Sequence, residues 1–254
     1  AAPPGLATNM PDVEHVALER ARAELDPRYR PRIVDGAAFL GAVDAARQAT
    51  ARFAGGSAHV ALPRVSGEAA LALHARALGR GAAPNILEAA GEARVVGAEV
   101  QLDRGPGVIE WWRSLPIGLE HGLNIATRPG GEGELVVELE VSARPSLERD
   151  GSVALRDRAG TVIARYGALA VTDAEGTNVS ARLAVVGDRV RIEVSDERAR
   201  YPIVVDPLLI ATEEATLRAS AAAADDQFGG AVALSGDGSR AIVGVRFDTV
   251  AGAA

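Results

Sequence analysis

The chain of 254 residues has no cysteine and no lysine; all 27 of its cations are arginine. Without cysteine there are no disulfides, thiolate zinc sites, iron–sulfur clusters or thiol nucleophiles. Without lysine there is no Walker-type phosphate loop, no Schiff base and no lysine general base. Aromatic residues make up only 4%. No apolar run reaches the length needed for a transmembrane helix. A dense basic cluster is also missing; the richest stretch, Arg28-Tyr29-Arg30-Pro31-Arg32, is short and broken by proline. With a net charge of −7, these features argue against nucleic acid as a partner.

What is present is globular in composition: 48% hydrophobic and 24% charged residues, enough for one large domain or two ordinary ones. Alanine supplies about a fifth of the chain. The opening Ala1-Ala2-Pro3-Pro4-Gly5 reads like the start of an exported protein after signal cleavage.

Three segments are expected. Residues 1–52 read as an extended N-terminus followed by helix. Pro11-Asp12 offers a turn and an N-cap, and Val13, Val16, Ala17, Ala21 and Leu25 recur at helical spacing. Asp26-Pro27 stops that helix. A second helix is expected over Gly36–Phe53, on Phe39, Leu40, Val43, Ala46 and Ala49.

Residues 53–210 read as an antiparallel β-sandwich-like domain. The apolar period changes to two: Leu135, Val137, Leu139 and Val141 alternate with Val136, Glu138, Glu140 and Ser142. Single strands are predicted over 94–102, 153–156, 181–186 and 189–194, among others. Asp150-Gly151, Ala159-Gly160, Glu175-Gly176 and Gly187-Asp188 separate the strands as turns. Short strands at such spacing mean a sandwich or barrel rather than an α/β fold. The fold class is therefore mainly β, with an N-terminal helical segment.

Residues 211–254 carry a helix-prone run, Thr212–Ala224, and then two strands around a Gly-rich turn. Asp226, Phe228-Gly229, Val232-Ala233-Leu234-Ser235-Gly236-Asp237-Gly238 and Ala241-Ile242-Val243-Gly244 resemble an FG-GAP repeat, the blade unit of integrin-like β-propellers. Tyr201-Pro202-Ile203-Val204-Val205-Asp206-Pro207 resembles the exit strand of an all-β domain that precedes such repeats in exported bacterial proteins. Ile109-Glu110-Trp111-Trp112 and Gly118-Leu119-Glu120-His121-Gly122 look like that domain too. The resemblance implies a C-terminal partial propeller-blade hairpin and a secreted or cell-surface structural or adhesive module. It also implies the absence of an enzyme.

A propeller blade has about four strands. The two read here leave strand edges open, so Val232, Leu234, Ile242 and Val243 are candidates for pairing between subunits in a homo-oligomer or filament. Calcium is the one cofactor considered, because integrin-type blades bind it through an acidic loop; Asp225, Asp226 and Asp237 are the candidate ligands. The alternative is a tight turn that needs glycine.

No catalytic residues are predicted. His15, His59, His74 and His121 show no metal-ligand spacing, and a hydrogen-bonded sheet histidine fits them better. No G-x-S-x-G elbow occurs. A carbohydrate-binding or glycoside-acting domain is the remaining alternative. It would use Trp111 or Trp112 as a sugar platform beside Glu110 and Glu120. The adjacent tryptophans must face opposite sides of their strand, one in the core and one exposed or beneath the N-terminal helices.

Overall fold

The computed structural model describes residues 10–41, 49–64, 67–82, 84–87, 91–211, 227–234 and 241–246. It divides into two units, one spanning Ala7–Thr212 and one comprising Ala1–Leu6 with Glu213–Ala254.

The first unit opens with one helix, α1 (Val13–Leu25). Asp12 caps it by accepting a hydrogen bond from the His15 amide, and Asp26-Pro27 ends it before a 3-10 turn at Pro27–Tyr29. Strands follow without interruption by another described helix: β1 (Arg32–Val34), β2 (Ala37–Leu40), β3 (Thr50–Ala54), β4 (Ser57–Arg64), β5 (Gly67–Arg80) and β6 (Asn85–Ile86). Next come β7 (Arg94–Val96), β8 (Glu99–Asp103), β9 (Val108–Leu115), β10 (Gly118–Ile125), β11 (Leu135–Val141) and β12 (Arg144–Leu147). The unit closes with β13 (Val153–Arg156), β14 (Val162–Thr172), β15 (Ala181–Val186), β16 (Arg189–Val194) and β17 (Ile203–Ala211).

The strands form two antiparallel sheets. The first runs β1-β2-β3-β4-β5-β11-β16-β15, with β6 paired to β5; the second runs β12-β13-β14-β17-β10-β9-β8-β7. Alternate residues of both sheets meet in one apolar core. Leu71, Leu73, Val137, Leu139, Val190 and Ile192 from the first sheet pack against Trp112, Leu123, Ile125, Leu155, Tyr166 and Val205 from the second. That is a sandwich, as the period-two pattern predicts.

The second helix expected over Gly36–Phe53 is corrected. Asp35 (φ 49°) and Gly36 (φ 75°) make the tight reversal between β1 and β2, the Asp-Gly signal for a two-residue hairpin loop. Ala38, Leu40, Ala51 and Phe53 are then buried with period two. Among the described residues, the helical segment is limited to Val13–Leu25 and the short turn, and β1–β3 belong to the first sheet. Residues 42–48, the centre of the expected helix, lie outside the described residues. The single strand expected over 94–102 is two strands, β7 and β8, folded at Gly97 (φ 60°).

The second unit is described at β18 (Gln227–Leu234) and β19 (Ala241–Arg246), an antiparallel pair with Val232 opposite Val243 and Ala233 opposite Ile242. The helix expected over 212–224 lies outside the described residues.

Candidate functional site: two polar clusters on opposite faces of one sheet

β9 and β10 form a hairpin at the middle of the second sheet. Alternation sends Val108, Glu110, Trp112 and Ser114 toward the core and Trp111, Arg113 and Leu115 outward. On β10, Leu119, His121, Leu123 and Ile125 face inward, whereas Glu120, Gly122 and Asn124 face outward. Each face carries a polar cluster.

The inner cluster centres on Glu110, which is fully buried. Its Oε2 accepts from Arg104 Nε at 2.6 Å and from the Ala75 amide at 3.2 Å. Its Oε1 accepts from His121 Nε2 at 3.0 Å and Trp112 Nε1 at 3.2 Å. Ala75 lies where the register of β5 against β11 shifts. Arg104 also donates to the Gly56 carbonyl in the β3–β4 turn. Glu110 and Arg104 together thus tie the second sheet to β5 and to the β3–β4 turn of the first.

Burial pushes Glu110 up, but the hydrogen bond from His121 and the Arg104 guanidinium outweigh it and hold the carboxyl at about 2. Burial raises the Tyr166 phenol well above its ordinary value, with the Glu110 charge adding to it, so Tyr166 stays protonated. Its hydroxyl is hydrogen-bonded with His121 Nδ1 at 2.6 Å. Trp112 stacks on His121 with ring centroids 4.3 Å apart, and Phe53 meets Trp112 edge-on at 6.0 Å. A Glu–His–Tyr relay has the composition of a catalytic device. Here every partner is used internally and Glu110, Trp112, His121 and Tyr166 have no exposed surface. The cluster is a polar strut between sheets.

The outer cluster lies under α1. Glu120 accepts from Arg20 Nε at 3.0 Å and Nη2 at 2.6 Å, and from Arg113 Nη1 at 3.2 Å. Asp206 of β17 accepts from Arg20 Nη2 at 2.5 Å. Arg113 turns its other nitrogen to Glu99 at 2.7 Å and lies over the Trp111 ring. Around these charges Val16, Ala23 and Tyr29 pack on Leu115, Leu208 and Ile210. Burial, with the neighbouring Glu120 charge, pushes Asp206 up to about 6 against the pull of Arg20.

These positions revise the site expectations. Trp112 sits in the core and Trp111 is 4% exposed, its ring lying over Gly122 with Nε1 bonded to Asn124. The tryptophans do face opposite ways, yet neither presents an open ring to a sugar. Glu110 and Glu120 stand on opposite faces of the sheet, so they cannot work as a carboxylate pair. His121 is the hydrogen-bonded sheet histidine expected; His74 is half-buried, 3.2 Å from Ser57 Oγ through its Nδ1. Among the described residues no group of three or more His, Cys, Asp or Glu is placed to hold a metal ion. Asp225, Asp226 and Asp237 lie outside the described residues. Val232 and Ile242 are largely exposed on the β18–β19 ribbon, Val243 is partly covered, and Leu234 ends β18.

Sequence reading missed Arg20, Arg104, Tyr166 and Asp206 as members of these clusters. The exit-strand motif held a partial signal, because two of its residues are structural. Asp206 receives Arg20, and Tyr201 donates to Asp196, which also holds Arg80 at 2.6 Å.

No helix among the described residues is long and apolar enough to cross a membrane. Neither a curated protein nor a solved structure matches the chain. The FG-GAP repeat family matches residues 211–254. Such repeats occur in integrin-like extracellular adhesive modules, where their role is structural rather than catalytic. The match covers the C-terminal stretch of the second unit and reaches the sandwich only at its last residues, 211–212.

Proposed function

We propose that this chain is a non-enzymatic structural and adhesive module of an exported protein, acting through its surfaces and strand edges. One observation carries this reading. Outside α1, the exposed large aliphatic residues among the described positions all lie on outermost strands or on the two-stranded ribbon. Ile33 is on β1, Ile86 on β6, Val95 and Val96 on β7, Leu147 on β12, Val186 on β15, and Val232 and Ile242 on β18 and β19. Edge strands offer unpaired amides and carbonyls, and apolar side chains beside them favour pairing with a further strand. Lysine, a common guard of such edges, is absent from the chain.

The ribbon is the strongest case. Val232 and Ile242 point to opposite faces, and a two-stranded hairpin is marginal in water until further strands join it. Those strands come from other FG-GAP repeats or from a second copy of this chain; the second source is the self-assembly reading. Sedimentation of the purified chain over a wide concentration range tests it. The expected result is a mass that grows with concentration, and a Val232→Arg, Ile242→Arg double variant that stays monomeric with an intact sandwich. A monomer at every concentration removes self-assembly. If the chain then also fails to bind cell-wall polysaccharide or intact cells, the adhesive reading falls too. A calcium ion at Asp225, Asp226 and Asp237 is a further proposal, and titration with calcium chloride that releases no heat would end it.

A further inference from the structure

The two sheets differ in what lies on their outer faces. α1 and the short turn after it pack on the second sheet. Among the described residues no helix covers the outer face of the first. Alternation turns the small side chains of Ala54, Ala61, Ala72 and Ala184 outward there, so the face is flat and arginines stand out from it.

Those arginines outnumber the carboxylates that hold them. At the centre Glu138, only 3% exposed, accepts from Arg76 Nη1, Arg189 Nη1 and Arg191 Nε, each at 3.1 Å. Arg76 also meets Glu140 at 3.2 Å. On β1, Arg32 has neutral partners, the Gly41 carbonyl and the Phe39 ring. Opposite Phe39 stands Arg52 of β3, 46% exposed and no closer than 4.0 Å to Asp35. Arg32, Arg52, Arg76, Arg189 and Arg191 are thus set against Asp35, Glu138 and Glu140, a local excess of positive charge on a chain whose net charge is −7. Along β15, Arg182 is held by Glu134 and Glu193, so the excess lies between β1 and β16.

We propose that this face binds an acidic polysaccharide, with Arg52, Arg76 and Arg189 taking its hexuronate carboxylates. The inference rests on the adhesive reading and names the ligand class. A guanidinium presents a planar fork that matches a carboxylate. Glu138 already holds Arg76 and Arg189 in place, so less side-chain freedom is lost on binding. From β3 to β16 is four strand spacings, roughly 19 Å, which lets one polymer meet several arginines at once. A single exposed ion pair is weak, but linked contacts on one chain reinforce each other. Nucleic acid fits less well. Duplex DNA carries a charge every 1.7 Å or so, which the acidic remainder of this chain repels, whereas a polyuronate has only one carboxylate per sugar.

The test is calorimetric titration of the whole chain with polygalacturonate at about 50 mM and about 500 mM salt, with dextran as the neutral control. Binding is expected at the lower salt, about ten-fold weaker binding or less at the higher, and none of dextran. The Arg52→Gln, Arg189→Gln double variant should bind about ten-fold more weakly, the loss of two exposed ion pairs. Arg156→Gln, on the second sheet, should bind as the unmodified chain does. Should the double variant not fold, Glu140→Gln decides, because it removes an exposed acid and should tighten binding about two- to five-fold. No binding of polygalacturonate, binding that neither substitution changes, or duplex DNA bound as tightly would overturn the proposal. Attachment to intact cells reads the adhesive role separately. Attachment that persists unchanged in the double variant keeps that role and removes this face as its site.

Discussion

Glu110→Gln is expected to destabilise the sandwich by about 3–5 kcal/mol, the cost of leaving a buried charge without its partner. The substitution keeps the shape of the side chain and removes only the charge. Arg104 is 3% exposed and also donates to a neutral carbonyl, that of Gly56, so its charge would stay buried and uncompensated. The new amide would also have to accept from four donors that now share two carboxylate oxygens. Since a domain of this kind is stable by roughly 5–15 kcal/mol, the loss is a large part of the total. Urea unfolding followed by tryptophan fluorescence measures it directly. Replacing both members, Glu110→Met with Arg104→Met, should recover much of the loss, because an apolar pair of similar volume leaves no orphaned charge.

The same carboxylate fixes the acid limit of the fold. Glu110 is held at about 2 against an ordinary 4.5, so its contribution is present above pH 4.5 and is lost as pH falls from there to 2. Asp206 acts with the opposite sign between about 4 and 6. The chain should therefore gain slightly in stability on mild acidification and then unfold steeply below pH 4.

The second large effect is expected at Gly122→Ala. Gly122 lies on the outer face of β10, directly beneath the Trp111 ring. A Cβ built there would overlap Cζ2 and Cε2 of Trp111 and stand 2.7 Å from the Val205 carbonyl oxygen of the neighbouring strand. The ring has little freedom to lift: Arg113 lies across it, and its Nε1 is tied to Asn124 at 3.1 Å. Overpacking of this kind costs about 1–3 kcal/mol, and the contact with backbone places Gly122 at the upper end. For a unit of this size that is a fall in Tm of roughly 5–10 °C. Adding Trp111→Leu to Gly122→Ala should restore part of it. Recovery would locate the strain at the ring rather than at the Val205 carbonyl.

Much of the architecture could be read from residue spacing and turn residues, because strands such as β16 alternate between a buried and a partly exposed face. Strands over 153–156, 181–186 and 189–194 coincide with β13, β15 and β16, and the glycines at 151, 160, 176 and 187 all adopt positive φ in the turns that separate them. Alanine explains the failure over 36–53. Ala37, Ala38, Ala49 and Ala51 favour a helix by propensity and scarcely differ in apolar character between one face and another. The decision there fell to Asp35-Gly36, whose reversal sets the register of β2, and in β2 and β3 to burial against the core.

The clusters were harder to foresee for a topological reason. Arg20 and Glu120 are a hundred residues apart, and His121 meets Tyr166 only because the second sheet is ordered β14-β17-β10-β9. Sequence spacing shows which side of a strand a residue occupies; it does not show which strand lies alongside. The opposed faces of Trp111 and Trp112 were therefore legible, whereas what covers each of them was not.

The central claim is that this chain works by pairing strand edges, above all those of β18 and β19. Hydrogen exchange measured residue by residue at several protein concentrations tests it most directly. The account predicts that amides of β18, β19 and the outermost strands gain protection as concentration rises, while those of β9 and β10, buried in the middle of the second sheet, do not change. Protection of β18 and β19 that is as strong as that of β9 and β10 at every concentration, in a monomer, would contradict it.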